Sequence, residues 1–497
     1  MRSLGARGKN GHNRREEVKE EEKEGGVQGK TPETTRHHSR AFPCGGQNSD
    51  PSTGRPQTAA GSVMVVLLVF TLLTLLELTL AGPACLLPGR PFVTVWNAPS
   101  SRCWDKYRVA LDLNPFDIVV NENQSFVGSE MVIFYISQLG LYPYYDNDGD
   151  PVNGGTPQNA SLSEHLKKAF DDLNATIVSP DFTGVVVVDW ESWRPLWVRN
   201  WDTKSIYQQR SVELVRQRHP QWSDEKVKKE AEKEFEEAAA MFMEDTLNLG
   251  CKFRPGGLWG FYGFPSCYNN GYKNSSHNYT GECPPVEVER NDQLRWMWRS
   301  SRALYPDIYL EQLLRKSQYV GRYVRYRLGE AFRVSRAGTE GQIPVLPYAR
   351  IVYTYSMDFL EQDDLIQTIG QSAALGAAGV ILWGNADYGS SKEACLAVKS
   401  YIDDTLGMYV VNVSSGALLC SQALCTGNGR CVRRDPSSEA QLHLHPGSFQ
   451  IRKNLQSGGF WLSGQATKMD LLYLDTNFQC RCYPGWRAAD CSQRTEP

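Results

Sequence analysis

The 497-residue chain has little net charge, −3 with histidine neutral. It has no basic tract beside an aromatic platform, which sets nucleic acid aside as a partner. No Gly-x-Gly-x-x-Gly follows an early strand, so a doubly wound dinucleotide-binding sheet is the weaker of two α/β readings. The cysteines include no paired C-x2-C units, the spacing of a structural zinc site, and no metal or cofactor is expected. No apolar tail follows Cys491, so a GPI anchor is not expected.

What is present points to the secretory route. Thirteen cysteines suit an oxidising compartment. Asn123, Asn159, Asn174, Asn274, Asn278 and Asn412 each begin an N-x-Ser/Thr sequon and are the candidate glycosylation sites. Residues 1–62 are rich in Gly, Arg, Glu and Lys and read as an unfolded extension. Val63 to Leu80 is nearly all apolar, and Thr79-Leu80-Ala81 has the small residues a signal peptidase reads. Residues 63–82 are therefore expected to be a signal peptide removed near Ala81, with a retained anchor as the alternative. No membrane span would remain after removal.

From residue 90, short apolar strands alternate with amphipathic helices. The expected strands are Phe92–Asn97, Met131–Tyr135, Gly184–Glu191, Leu258–Tyr262, Asp307–Leu310, Pro344–Val352 and Gly379–Trp383. The expected helices include Leu162–Leu173, capped by Ser161, and Ser223–Leu249, with Val227, Ala231, Phe235, Ala238, Phe242 and Leu247 on one face. Asp292–Leu304, Ser317–Val334, Asp363–Ala374 and Ser391–Leu406 follow. About seven such units predict a (β/α) barrel over residues 88–412.

The central stretch is Gly184-Val-Val-Val-Val-Asp189-Trp190-Glu191-Ser-Trp193-Arg194-Pro195. Four β-branched residues favour a strand buried on both faces. If it continues through Asp189 and Glu191, both carboxylates emerge on one side. A carboxylate pair at the end of a parallel strand suits acid–base work on a sugar; a solvated strand end with a salt-bridging arginine is the plain alternative. The other strands finish near Trp96-Asn97, Tyr135, Tyr262, Tyr309, Tyr348 and Trp383. Aromatic and hydroxyl groups gathered at one end of a barrel describe a sugar cleft better than coincidental packing.

The C-terminal part, residues 416–492, has the spacing Cys420-x4-Cys425-x5-Cys431 and then Cys480-x-Cys482-x8-Cys491 with Gly-Trp before the last cysteine. It resembles an epidermal-growth-factor-like module, which implies Cys420–Cys431, Cys425–Cys480 and Cys482–Cys491. The polar insert between Arg433 and Asn477 is expected to loop out.

The central stretch, Gly257-Leu-Trp-Gly-Phe-Tyr262-Gly-Phe-Pro265, Gly376-Ala-Ala-Gly-Val-Ile-Leu-Trp383 and Pro91-Phe-Val-Thr-Val-Trp-Asn97 together closely resemble the animal hyaluronidases, glycoside hydrolase family 56. The likeness spans about residues 88–492. It implies a distorted, TIM-like (β/α) barrel and a secreted or lysosomal monomer that cleaves hyaluronan and, more weakly, chondroitin sulfate. Carried over by position, Glu191 is the acid/base, with its pKa raised by Asp189 and partial burial. Asp189 and Tyr262 assist the substrate's own acetamido group, which takes the place of a carboxylate nucleophile. Tyr135, Tyr309, Tyr348 and Trp383 line subsites, and Arg194 holds the carboxylates. Cys103 would join Cys395, and Cys267 would join Cys283, leaving Cys44, Cys85 and Cys251. Asp307 stands where relatives usually have Ser, and its charge is expected to weaken polyanion binding or move the pH optimum. The alternatives are a hyaluronan-binding protein without turnover and an adhesion protein acting through the cysteine-rich module.

Overall fold

In the computed structural model, which describes residues 86–495 apart from 88, 121–126, 275–277, 339–341 and 455–457, the apolar runs form short parallel strands. These are β1 (Val93–Asn97), β2 (Ile118–Val119), β3 (Met131–Phe134), β4 (Val185–Val188), β5 (Leu258–Phe261), β6 (Tyr348–Ala349) and β7 (Gly379–Trp383). One sheet runs β2-β1-β7-β6 and another β3-β4-β5. Isolated parallel bridges join them: Tyr262 with Tyr305, Leu304 with Val345, and Asp307 with Tyr348. The result is a distorted (β/α) barrel.

The valine run shows how both faces of the strand are used. Val185 and Val187 point into a barrel interior that also takes Val93, Val95, Met131, Ile133, Leu258, Tyr305, Tyr348 and Ile381. Val186 and Val188 face the layer between strands and helices. All four are fully buried. Gly184 and Gly379 start strands where a Cβ would lie 2.3 Å from the Glu130 and Val93 carbonyls, respectively, so only glycine permits that approach.

Two expected strands are displaced or cut short. Pairing expected at Asp307–Leu310 falls instead on Leu304 to Asp307, and Pro344–Val352 contracts to Tyr348–Ala349. Pro306, Pro344 and Pro347 remove ladder donors there. Their carbonyls still accept, from Tyr348 N at 2.8 Å, Leu304 N at 2.9 Å and Ile381 N at 3.0 Å, respectively.

Outside the barrel, α1 (Leu162–Thr176) starts at the Ser161 cap, and α2 (Ser205–Arg218) was not foreseen. The long α3 (Asp224–Phe253) buries the stripe Val227, Ala231, Phe235, Ala238, Phe242 and Leu247. The helix expected at Asp292–Leu304 is replaced by α4 (Pro285–Gln293) and α5 (Arg295–Ser300). Proline is favoured in the first helical turn, where its missing N–H costs nothing. Farther on are α6 (Val320–Val334), α7 (Lys392–Tyr401) and α8 (Gly407–Leu424).

Five disulfides occur among the described residues: Cys103–Cys395, Cys267–Cys283, Cys420–Cys431, Cys425–Cys480 and Cys482–Cys491. The Cys251 sulfur lies 3.6 Å from the Ser300 carbonyl. Cys44, Cys85, Asn123 and the expected signal segment lie outside the described residues. Asn159, Asn174 and Asn278 are exposed, whereas Asn412 sits within α8 and accepts from Leu444 N at 3.1 Å.

The cysteine-rich segment belongs to the same compact unit as the barrel. Arg430 Nε donates to Pro91 O at 2.7 Å, and the buried Arg433 donates to Gln371 Oε1 at 2.8 Å. The insert does not loop out. It forms an antiparallel hairpin, Phe449–Lys453 with Phe460–Gly464, and a helix, Lys468–Asn477. Lys453 pairs with Asp403 at 2.5 Å, and the Phe460 ring packs where Gly407 has no side chain. Alternating Phe449 and Ile451 give the hairpin a packing face that average polarity hides. No helix among the described residues is long and apolar enough to cross a membrane.

Candidate active site

The C-terminal ends of the strands converge on one face of the barrel. β4 ends at Val188 rather than reaching Glu191, so the two acids do not alternate along a strand. Asp189 keeps one ladder bond, from its N–H to Phe134 O at 2.9 Å, and then the backbone leaves the sheet. Asp189 is half-buried, and its Oδ1 is enclosed with no hydrogen-bond partner among the described residues. The Glu191 side chain is 49% exposed. One carboxylate therefore sits inside the cleft wall and the other at its open edge.

The two tryptophans of this stretch fix the turn. Trp190 stacks on Tyr142 at 4.6 Å, and Trp193 stacks on the same ring at 5.1 Å. Trp193 Nε1 also donates to Pro143 O at 2.8 Å. Both indoles are buried in the layer between barrel and helices. Behind Trp190 lies His165, its ring 5.5 Å away edge-on. Its Nδ1 accepts from Leu141 N at 2.9 Å, and Nε2 lies 2.9 Å from Thr246 Oγ1. With Nδ1 facing a donor, the ring is neutral, and burial lowers its pKa to about 4.

Burial, reinforced by the charge of Glu191, pushes the Asp189 carboxyl well above the usual carboxylate range, while Arg194 opposes that rise. Arg194 Nη2 is 3.3 Å from Glu191 Oε1, and its guanidinium lies over Phe264 at 5.3 Å. Lys204 Nζ donates to the Glu191 carbonyl at 2.7 Å.

The aromatic residues form one connected wall. Tyr262 meets Tyr348 edge-on at 5.0 Å and Tyr309 at 6.5 Å; Tyr309 stacks on Trp383 at 6.3 Å. The Tyr262 and Tyr309 hydroxyls are hydrogen-bonded to each other, and the Trp383 indole donates to Tyr135. Burial first, then Asp189 for Tyr135 and Tyr309 ahead of the nearby acids for Tyr262, raises both hydroxyls, so both remain neutral. The Tyr348 hydroxyl is buried without a hydrogen-bond partner among the described residues. Asp189, Glu191, Arg194, Tyr135, Tyr262, Tyr309, Tyr348 and Trp383 are thus gathered at one end of the barrel.

Three further charged groups escaped the sequence reading: Lys204, Arg350 and Arg327. Arg350 is buried with its guanidinium 5.1 Å from the Trp383 ring centre. Arg327 pairs with Asp307 at 2.7 Å, so the Asp307 charge does not stand alone. A signal for Arg327 was present. It lies in the inward stripe of α6 with Tyr323, Val324, Leu328 and Ala331, where an arginine implies a buried partner. Among the described residues no cluster of three His, Cys, Asp or Glu is placed to hold a metal ion.

A parallel barrel with a carboxylate pair and a wall of aromatic faces and hydroxyls at one end has the architecture of a glycoside hydrolase. The hyaluronidase family model, glycoside hydrolase family 56, matches residues 82–495, and the chain belongs to that family. It is 50% identical to hyaluronidase-1 of Homo sapiens over 423 residues, which is 85% of this chain and 97% of the human protein. It is 45% identical to hyaluronidase-1 of Mus musculus over 460 residues, 93% of this chain and 99% of the mouse protein. Among solved structures, bee venom hyaluronidase in complex with a hyaluronic acid tetramer superposes with a TM-score of 0.54 at 33% identity, covering 64% of this chain and 97% of that one.

Proposed function

We propose that the chain is a hyaluronoglucosaminidase that cuts hyaluronan internally at β-1,4 links, and chondroitin more weakly, with net retention. The observation that carries this reading is the unequal carboxylate pair, with Asp189 enclosed and raised and Glu191 at the open edge beside Arg194. Family membership and the hyaluronic acid bound by the bee venom relative supply the substrate class.

Glu191 donates its proton to the leaving glycosidic oxygen as the C–O bond breaks. The acetamido carbonyl of the same sugar attacks the anomeric carbon and forms an oxazolinium ion. Asp189 accepts the acetamido N–H through its unprotonated oxygen, and the negative charge left on the carboxylate pair once Glu191 has given up its proton offsets the positive charge that develops there. The Tyr262 hydroxyl donates to the acetamido oxygen and fixes its line of attack. Water then adds at the anomeric carbon, its proton passing to Glu191, and the acetamido group is restored. This substrate-assisted route differs from the two-carboxylate scheme. Tyr135, Tyr309, Tyr348 and Trp383 hold sugar rings, and Arg194 keeps the carboxylates in place. We assign the chain to the secreted or lysosomal route as a monomer, on the cysteines and the exposed sequons Asn159, Asn174 and Asn278.

The test is hyaluronan size on a gel with wild type and Glu191→Gln, from pH 3.5 to 7.5. Fragmentation by wild type and its loss in the variant support the reading. A folded wild type that leaves the polymer intact at every pH excludes it and favours a binding protein.

A further inference from the structure

Asp307 stands at the C-terminal end of the bridged segment between β5 and β6, two residues before Tyr309. Its Oδ2 accepts from Arg327 Nη1 at 2.7 Å, and its carbonyl accepts from the same nitrogen at 3.0 Å. Arg327 Nε also donates to Asn269 Oδ1 at 3.0 Å, and the guanidinium lies over the Tyr323 ring at 4.4 Å. The two partners differ in position: the Arg327 side chain is 9% exposed and that of Asp307 30%. The cation is the inner partner and the carboxylate the outer one. That carboxylate is close enough to the Tyr262 and Tyr309 hydroxyls to raise both, behind the larger effect of burial.

We propose that Asp307 is a specificity-determining residue that acts through Arg327, presenting a paired carboxylate to the substrate in place of a free cation. The cleft then accepts a polymer bearing only carboxylates and disfavours one that also bears sulfates. This inference rests on the hyaluronan reading above. Like charges brought together at a recognition surface reject the more highly charged partner. Without Asp307, Arg327 would keep its charge at the wall beside the subsite tyrosines and would attract every polyanion, the sulfated one most.

The experiment measures binding of size-matched hyaluronan and chondroitin sulfate oligosaccharides by calorimetry at several salt concentrations. The proteins are Glu191→Gln, which holds the polymer without turnover, and Glu191→Gln/Asp307→Asn. The expected result is roughly fivefold tighter binding of chondroitin sulfate, about twofold tighter binding of hyaluronan, and a steeper salt dependence, the scale of one unit charge in a partly screened site. In the Asp307→Asn enzyme, KM falls while kcat holds. Unchanged affinities and an unchanged salt slope would overturn the assignment. Should Asp307→Asn fail to fold with Arg327 unpaired, the charge-balanced Asp307→Asn/Arg327→Gln variant decides. A smaller shift toward chondroitin sulfate upholds the proposal, and an unaltered preference rejects it. A parent protein that binds neither polymer removes the hyaluronan reading and this inference with it, whereas a parent that binds but does not respond removes only the inference.

Discussion

Between β3 and β5 the barrel pairs four residues at a time in strict register, Met131 to Phe134 against Val185 to Val188, and these against Leu258 to Phe261. Between Leu304 and Ala349 it is held by isolated bridges and a two-residue strand, interrupted by three prolines. The regular half delivers Asp189, Glu191 and Tyr262. The irregular half delivers Asp307, Tyr309 and Tyr348. Groups proposed to handle protons need fixed geometry, and Asp189, Glu191 and Tyr262 all follow full ladders within three residues. Of the groups proposed to hold a long polymer, Tyr309 and Tyr348 stand on the looser wall, where one altered side chain can change selectivity without disturbing a ladder, whereas Tyr135 and Trp383 lie at the ends of full ladders.

The contrast can be tested from both sides. Glu191→Gln should reduce kcat by about 10²–10⁴, the usual worth of a general acid, with little change in melting temperature, read by a reducing-end assay and calorimetry. Val187→Ala should cost about 2 kcal/mol in denaturant unfolding, because a fully buried interior methyl pair leaves a cavity in the regular half. Activity at moderate temperature should fall with it if that half sets the geometry.

Asp189→Asn separates function from stability. A carboxyl whose folded-state pKa is raised stabilises most at pH below its unfolded value and loses that contribution as pH rises through the folded value. Burial of Asp189 therefore weighs increasingly against the fold as pH rises above the ordinary carboxylate range. The asparagine variant should melt higher than wild type at pH 7, with the gain shrinking toward pH 4, while activity is lost. No melting difference across that range would contradict the burial assigned to Asp189. The smallest effect is expected in the irregular half. Tyr348→Phe removes a hydroxyl without a partner and should leave stability unchanged or slightly improved, with KM rising more than kcat falls.

Much of this was legible in the residues. The valine run gave the central strand because β-branching and uniform burial act locally, and α3 was readable from its apolar stripe. The end of β4 was not, because a strand stops where its hydrogen-bond partners stop, and those lie on β3 and β5. The irregular half misled for a related reason. Pro306, Pro344 and Pro347 could be counted in the sequence, but which ladder donors they remove depends on register. The carboxylates and tyrosines stood out through their places near the expected strand ends, and their proposed roles came from the resemblance. Arg327 was missed because its partner, Asp307, lies 20 residues away in the chain, and the resemblance marked Asp307 as an unbalanced charge. The folded insert escaped notice because its packing face is carried by a few residues in an otherwise polar stretch.

The bond between Cys103 and Cys395 spans 292 positions. It turns nearly the whole barrel into one covalent ring that contains the carboxylates and every aromatic residue of the cleft. A protease that nicks a single exposed loop between those cysteines opens the ring without releasing a fragment. The cut ends stay tethered through the sulfur bridge, and the wall of the cleft stays attached to the acids it serves. Such a nicked enzyme would migrate as one species until a reductant is added, and only then as two.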